Sequence, residues 1–378
     1  MQPIGVNINV NFLVCLVLFL ASRPALRVMI AAAVVGASLC LFLGLHGGVL
    51  HGALEVLSYC GAGALPAVWL MPFLCGRSDL TLLVKLLFPP CFGLLTSLIL
   101  NTGSHGFTYD HFLYRFDGSL GFQPSFLAGT LTATPWVYQV TRSLYEALPL
   151  FLVTAYLIQD RRGPGYGRRF FILIVLVGLC GAACFFLFPA VGAYWLFAKS
   201  FPFHPPASSA IPLIPTVVSA AVPRNCMPSL HTSWALLVFW ATSGCRLRWR
   251  LPLWTLMGFM LLQTLVYHYL IDMVVAFPFT LAMYLLIRTT VPWSSIAWRS
   301  AFGFGLAVTA CWLVLLRWGI GIFQVSPFVP WSAMAFTIAG SIWLWTFAGK
   351  EMAQQPRTAD PLDWGAVIPT GASTAAGK

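Results

Sequence analysis

Long apolar runs alternate with short polar segments along most of this chain. A hydrocarbon core of about 30 Å requires about 20 helical residues, and fewer for short inner helices. The pattern therefore predicts an all-α, polytopic membrane helix bundle with about eleven transmembrane helices. The predicted spans are residues 9–22, 27–46, 54–74, 83–101, 145–159, 169–188, 231–245, 252–266, 268–288, 300–317 and 330–348.

Composition and charge agree with this class. Of 378 residues, 59% are hydrophobic and only 8% are charged, whereas soluble domains contain about 25% charged residues. The net charge of +11 could indicate nucleic-acid binding, but the cations cluster at the ends of apolar runs, as the positive-inside rule expects. We therefore predict a membrane as the partner and no nucleic acid.

The positive-inside rule also gives an orientation. With the amino terminus outside and the first run retained as a span, sixteen of the 21 Lys and Arg residues lie on the cytoplasmic side. The runs 54–74 and 145–159 are the weakest, and losing either would invert everything that follows. The cations predicted to lie outside are Arg115, Arg142, Lys199, Arg224 and Arg317.

Two short polar strings interrupt the apolar pattern, MPSLHT at 227–232 and HYLID at 268–272. Ionisable groups at membrane depth are costly and usually functional. The predicted topology brings both strings to the outer face. Residues 252–288 would form a helix of about 55 Å, too long for one crossing, so we expect a break within QTLVYHYLID.

The spacing within these strings predicts an active site. His268 and Asp272 are four residues apart, which on a helix places them on one face, where the carboxylate can orient the imidazole. Pro228 suits the first turn of a helix that carries His231. Two helix starts aimed at one pocket form a plausible phosphate site, to which Arg224 and Lys199 could add charge.

The outer segment 102–144 and the cysteines receive structural interpretations. The outer segment 102–144 predicts a half-buried interfacial helix, with Phe112, Leu113, Phe116 and Leu120 against lipid or core. The ten cysteines show no CxxC spacing, so no metal site and no cofactor are predicted. Cys226, beside the site, is interpreted as a small packing residue.

The strings resemble motifs of the type 2 phosphatidic acid phosphatase superfamily. PSLH and the later His-x-x-x-Asp are similar to its second and third motifs. HYLIDMVVAF resembles the third motif of the phosphotransferase branch, which includes inositol phosphorylceramide synthases and sphingomyelin synthases. FLFPAVGAYW at 186–195 and YDHFLYRFDGSLGFQPSF at 109–126 extend the resemblance, which covers roughly residues 82–288.

The resemblance implies a six-helix catalytic core that works without a metal. His268 would attack phosphorus, Asp272 would orient His268, and His231 would protonate the leaving alkoxide and then deprotonate the acceptor. The hydrolytic branch carries a lysine and an arginine in its first motif and a Ser-Arg pair before its third. Leu261 and Leu262 replace that pair, which favours the transferase branch and leaves the phosphate clamp open. The candidate phosphate- or substrate-binding residues are Ser229, Arg224, Lys199, Tyr194 and Arg142.

These interpretations define a domain plan and a function. Residues 1–81 and 289–349 are predicted accessory transmembrane helices, 82–288 the catalytic core and 350–378 a disordered cytoplasmic tail. The leading hypothesis is a lipid head-group phosphotransferase that forms a phosphohistidine, with a phospholipid donor and a lipid hydroxyl or water as acceptor. The alternatives are a lipid phosphate phosphatase, metal-dependent chemistry and a non-enzymatic, transporter-like protein. The predicted location is a bacterial inner membrane with the site on the periplasmic, extracytoplasmic face, and a Golgi-like lumen is the alternative for that face.

Overall fold

The computed structural model describes residues 4–42, 53–87, 106–219, 222–287 and 295–354, and these residues are predominantly α-helical. The only strands within those ranges are β1, Phe107–Thr108, and β2, Thr216–Val217, which pair antiparallel. The helices are α1 Ile4–Ala21, α2 Leu26–Phe42, α3 Ala53–Ala62, α4 Ala64–Trp69, α5 Met71–Cys75, α6 Leu80–Leu86, α7 Asp110–Gly118, α8 Pro124–Leu131, α9 Pro135–Glu146, α10 Leu148–Asp160, α11 Pro164–Leu187, α12 Ala193–Leu196, α13 Leu230–Thr242, α14 Leu247–Tyr267, α15 Leu270–Ile287, α16 Ile296–Trp318 and α17 Phe328–Gln354. Short 3₁₀ turns occur at Ser208–Ala210 and Ile320–Gln324.

The fold class is all-α, and several helices are suited to a membrane. Within the described ranges, α15, α16 and most of α11 and α17 are long and apolar enough to cross one. Shorter apolar helices cover Val10–Ala21, Leu26–Cys40 and Leu148–Asp160. These lengths and compositions identify an integral membrane protein, while the count of eleven spans stays a prediction.

Some predicted elements differ from, or extend beyond, the described structure. The run 54–74 is three short helices, α3 to α5, because Gly63 and Leu70 separate them as turn residues. The run 83–101 is described only as far as Leu87, and most of the predicted tail lies outside the described residues. Helix α17 continues to Gln354, past the predicted tail boundary at 350.

The central bundle brings the two polar strings to one end. Helix α13 runs away from residue 229, α14 returns, and α15 runs away again from residue 270, so α13 and α15 begin at the same end. Helix α15 packs against α11, α13, α16 and α17, and α10 packs against α11 and α13. The largest apolar cluster fills these contacts.

A second apolar cluster closes the end at which α13 and α15 begin. The amphipathic helix α7 contributes Phe112, Leu113 and Phe116, and Leu120 follows it; all four side chains are buried. The Phe116 ring contacts Trp312 of α16 edge-on, with centroids 5.4 Å apart. The segment predicted as an interfacial helix therefore contains a helix, and these residues face the protein core rather than lipid. Its position at the membrane interface stays a prediction.

The helices outside the predicted core pack directly against it. Helix α1 contacts α10, and α16 and α17 contact α15. Helices α2 and α3 approach closely, since a Cβ added at Gly36 would lie 1.6 Å from the carbonyl oxygen of Tyr59. Small residues allow such backbone approach between membrane helices. The division into core and accessory segments stays a prediction.

Candidate active site

The expected helix break lies at His268 and Tyr269, between α14 and α15. His268 has an extended backbone, with φ −120° and ψ 171°. Its N–H donates to the carbonyl oxygen of Thr264 at 2.9 Å, which closes the last turn of α14. The break is confirmed, but His268 and Asp272 do not share one helical face as predicted, because only Asp272 lies within α15.

Asp272 approaches His268 by folding back over the break. Its Oδ2 accepts a hydrogen bond from the Tyr269 N–H at 3.0 Å, as the acidic residue of a capping box does. The same oxygen lies 3.5 Å from His268 Nδ1. This distance exceeds an ordinary hydrogen bond, and catalytic contacts are often longer before substrate binds. The arrangement leaves Nε2 of His268 directed away from Asp272.

A second carboxylate holds the start of the same helix. Asp117, at the end of α7, accepts from the N–H of Leu270 at 2.8 Å and from that of Ile271 at 3.4 Å. Both donors lie in the first turn of α15, which has no internal acceptor for them. Asp117 therefore fixes the direction in which α15 leaves the break.

Asp110, two turns before Asp117 on α7, holds another loop. Its carboxylate accepts from the N–H of Gly192 at 2.8 Å and from that of Val191 at 3.0 Å. One face of α7 thus anchors two chain segments that meet at the site. Burial raises the pKa of both aspartates, the negative charge of Asp272 raises that of Asp117 further, and the backbone donors oppose these shifts.

Gly192 makes the approach of this loop possible. Its φ of +89° is in a region that favours glycine. A Cβ at this position would lie 1.8 Å from the carbonyl oxygen of Tyr267, the residue before His268. The segment FLFPAVGAYW at 186–195, which contains Gly192, therefore packs its backbone against the helix break.

His231 enters the site from the first turn of α13. Ser229 caps this helix, with its Oγ accepting from the Thr232 N–H at 3.3 Å. The Ser229 N–H donates to the carbonyl oxygen of Asp272 at 3.0 Å, which ties the two helix starts together. Pro228 lies before the cap rather than in the first turn as predicted, because α13 begins at Leu230.

The two histidines face a common space. Their ring centroids are 6.4 Å apart, and the His231 ring stacks on Tyr145 of α9 at 3.9 Å. His268 is almost fully buried, whereas His231 is half-buried. Nucleophilic approach needs about 3 Å and proton transfer about 2.6–3.2 Å. The separation of the two ring centroids is therefore of the same order as the sum of these two distances.

The sequence predicts an anion site formed by the starts of two helices, α13 and α15. In the structure, only the start of α13 is suited to that role. The N–H groups of Tyr269, Leu270 and Ile271 already donate to aspartate carboxylates. At α13, no hydrogen-bond partner within the described ranges is found for the N–H groups of Leu230 and His231. The start of α13 is therefore better suited to bind phosphate.

Arg224 is fully buried in a loop and supports that loop. Its guanidinium donates to the carbonyl oxygens of Val222 at 2.6 Å, Val218 at 2.8 Å and Ser219 at 3.1 Å. Burial lowers its pKa, although the charge of Asp110 opposes this shift. These bonds occupy most of the donors that a phosphate would need.

The remaining predicted ligands differ in their positions. Lys199 is exposed on the turn after α12. Tyr194 contacts Tyr267 edge-on, at 5.2 Å between centroids. Arg142 is half-buried one turn before Tyr145, and it bonds Glu146 at 3.0 Å and the Tyr138 hydroxyl at 2.7 Å. Among these three, Arg142 is the cation on the helix that contacts His231.

One group of side chains could hold a metal ion. Potential ligand atoms of Cys226, His268 and Asp272 all lie within 4.8 Å of one another. Thiolate, imidazole and carboxylate ligands suit Zn²⁺, which the sequence pattern did not indicate. Burial raises the pKa of Cys226 well above its usual range, with Asp272 and Asp110 adding to the shift, so without a metal the thiol stays protonated.

Sequence reasoning missed three supporting residues. Asp110 and Asp117 were interpreted as part of an interfacial helix, although their separation of seven residues places both on one helical face. Tyr145 lies between Arg142 and Glu146 in the sequence and belongs to no distinguishing motif. The aspartates were therefore detectable by helical spacing, whereas the tyrosine was not.

The arrangement is that of a helical membrane protein with two histidines and an aspartate at one end of its bundle. Residues 111–286 match the model of a family described as the PAP2 superfamily, which confirms the resemblance at that level. The match does not distinguish the phosphotransferase branch. Searches of curated proteins and of solved structures gave no match.

Removal of the Asp117 carboxylate should loosen the start of α15. We expect Asp117→Ala to destabilise the protein by about 1–3 kcal/mol, because two buried N–H groups lose their acceptor. Hydrogen exchange at residues 269–272 should accelerate in this variant. Thermal unfolding in detergent and exchange mass spectrometry measure the two effects.

Asp79→Ala is the matched control, since Asp79 caps α6 by accepting from the Leu82 N–H at 2.9 Å. This variant should lose stability without faster exchange at residues 269–272. Equal exchange at those residues in Asp117→Ala and the unchanged protein would contradict the role assigned to Asp117.

Proposed function

We propose that this protein is a membrane-embedded enzyme that transfers a phosphorylated lipid head group through a phosphohistidine intermediate. The proposal rests chiefly on one observation, the 6.4 Å separation of the His231 and His268 rings at one end of the bundle. The match to the PAP2 superfamily supports it, because members of that family are phosphatases and phosphotransferases acting on phosphate esters.

In the proposed first step, His268 Nε2 attacks the phosphorus of the donor and the bond to the leaving oxygen breaks. Asp272, near Nδ1, holds the ring and stabilises the positive charge that develops on it. His231 donates its proton to the leaving alkoxide. The products of this step are a phosphorylated His268, a lipid alcohol and a neutral His231.

In the second step, an acceptor hydroxyl occupies the position of the departed alcohol. His231 removes its proton while the oxygen attacks phosphorus, and the bond from phosphorus to nitrogen breaks. An alcohol acceptor gives transfer, and the product is then a lipid such as a phosphosphingolipid or a phosphoinositol lipid. Water gives hydrolysis, as expected for a phosphatase acting on phosphatidic acid or a polyprenyl phosphate.

The phosphate oxygens need donors during both steps. The N–H groups of Leu230 and His231 are suitably placed at the start of α13, where the helix dipole favours an anion. Arg142 is the cation that we favour as an additional ligand, because it lies one turn from Tyr145 on α9. Ser229, Arg224, Lys199 and Tyr194 stay candidates with weaker geometric support.

The membrane position of the site follows from the charge pattern. The cytoplasmic assignment of the Arg161–Arg169 and Arg246–Arg250 segments places His231 and His268 at the outer face. We therefore propose an extracytoplasmic site, periplasmic if the protein lies in a bacterial inner membrane. Lipid donors would reach the site laterally from the adjoining leaflet.

Substitution of either histidine should remove the activity. We expect His231→Ala to lower kcat by about 10²–10⁴-fold, the range of general acid–base catalysis, and His268→Ala to abolish turnover. The assay follows purified protein with a panel of phospholipids labelled in the head-group phosphate. Analysis of products with and without ceramide or diacylglycerol separates transfer from hydrolysis.

His204→Ala is the control, because His204 is an exposed histidine in the loop before β2. It should retain normal turnover. Normal turnover in His231→Ala or His268→Ala would reject the mechanism, and release of phosphate that is independent of any acceptor would reject the transferase assignment. A transporter-like protein would process none of the donors in any variant.

Metal-dependent phosphoryl transfer is a second candidate, favoured by the grouping of Cys226, His268 and Asp272. The histidine mechanism predicts that Cys226→Ala retains most of its turnover and that EDTA has no effect. Both predictions follow because neither the thiol nor a metal ion takes part in that mechanism. The labelled-donor assay, repeated with Cys226→Ala and after chelation, measures the difference.

Turnover that is lost both in Cys226→Ala and after chelation would favour metal-dependent phosphoryl transfer. In that case, added Zn²⁺ should restore the activity of the chelated protein. The thermal stability of Cys226→Ala serves as the control for folding, because Cys226 is buried against Gly192.

A further inference from the structure

A cavity lies at the end of the bundle opposite the two histidines. It opens between α10, α11, α13 and α15 and is lined by Ala241 near the end of α13 and by Ile287 at the end of α15. Ten helical residues separate Ala241 from His231, which corresponds to about 15 Å at 1.5 Å per residue. The cavity is therefore distinct from the candidate active site.

Its inner wall is apolar and its rim is basic. Phe170, Leu173 and Leu237 line the interior of about 80 Å³, and Arg162 and Arg169 also line the cavity. Phe170, Leu173 and Leu237 are buried, whereas Arg162 is exposed. The cavity thus combines hydrocarbon contacts with guanidinium groups at its edge.

The surrounding charge is strongly positive. Arg161 and Arg168 flank the rim in sequence, and the segment 246–250 adds three arginines at the same end. Among the described residues, those that line the cavity include no aspartate or glutamate. The neighbouring Asp160 is paired with Lys85 at 2.6 Å. An anion at the rim would therefore meet several arginine side chains.

One hydrogen bond and one aromatic contact join the helices that line the cavity. The Gln159 side-chain amide donates to the carbonyl oxygen of Ala241 at 2.7 Å, which joins the ends of α10 and α13. The Trp240 ring contacts the Tyr284 ring edge-on at 5.2 Å, which joins α13 to α15. A ligand seated here would contact the ends of helices whose other ends carry His231 and Asp272.

We propose that this cavity binds the phosphate head group of an anionic phospholipid from the leaflet opposite the active site. Guanidinium groups bind phosphate bidentately, and basic pockets between membrane helices on the cytoplasmic side suit anionic head groups. The apolar wall formed by Phe170, Leu173 and Leu237 accepts the first part of an acyl chain. The bound lipid is a ligand separate from the substrate of the histidine site.

Binding of a photoreactive phosphatidylglycerol to the full-length protein in neutral detergent tests the proposal. We expect cross-links between residues 162 and 173, at and just before the start of α11, mapped by mass spectrometry. Unlabelled phosphatidylglycerol should compete at least tenfold more strongly than phosphatidylcholine, which has no net charge. Inorganic phosphate at the same concentration should not compete, because it lacks the acyl chain.

Arg162→Gln combined with Arg169→Gln should reduce this cross-linking at least tenfold. Arg162→Gln alone should reduce the cross-linking severalfold. Because Arg162 is exposed, this single variant keeps the test valid if the double variant does not fold. Arg77→Gln is the matched control, because Arg77 does not line the cavity and pairs with Asp79 at 3.0 Å. This control should bind normally.

Four results would overturn the proposal, and the first three concern the lipid and the cross-links. They are equal competition by phosphatidylcholine, unchanged cross-linking in both Arg162 variants, and cross-links confined to residues around His231 and His268. Competition by inorganic phosphate as strong as that by the lipid would show an anion site without lipid specificity and would also reject it. Because the readout is binding, none of these results depends on the proposed catalytic activity.

Discussion

The candidate site depends on one constraint, the interrupted helix between Tyr267 and Leu270. An interrupted membrane helix exposes N–H groups that must find acceptors within the protein. Asp272 and Asp117 supply these acceptors, with contacts of 3.0 Å at Tyr269 and 2.8 Å at Leu270. The same carboxylate of Asp272 that satisfies the backbone also approaches His268. The Asp272 carboxylate therefore both supports the interrupted backbone and orients His268, the proposed nucleophile.

The rest of this end of the bundle is built around that break. Helix α7 carries Asp110 and Asp117 on one face and packs its apolar residues beneath them. Asp110 holds the loop of Gly192 against the Tyr267 carbonyl, and Ser229 ties the start of α13 to Asp272. Three chain segments that are far apart in sequence thus converge on His231 and His268. The opposite end shows a different chemistry, with arginines around an apolar cavity.

Much of this could be predicted from the sequence, for identifiable reasons. Apolar length and charge bias gave the membrane class, and the excess length of 252–288 required the break near His268. The exact pairing of His268 with Asp272 was inferred from helical spacing but is achieved across the break. The burial of Arg224 by carbonyl oxygens of its own loop was not predictable, because such contacts depend on backbone geometry that no residue pattern specifies. The role of α7 was underestimated since its aspartates act on backbone groups distant in sequence.

The central claim is that His268 carries the phosphoryl group during turnover. The most direct measurement is rapid quenching at alkaline pH after mixing the enzyme with a phospholipid donor labelled in its phosphate, followed by mass-spectrometric location of the label. The account predicts a labelled phosphohistidine at His268 that disappears on addition of acceptor and is absent in His268→Ala. A protein that turns over the donor while the label never appears on His268, or appears on another residue, would contradict it.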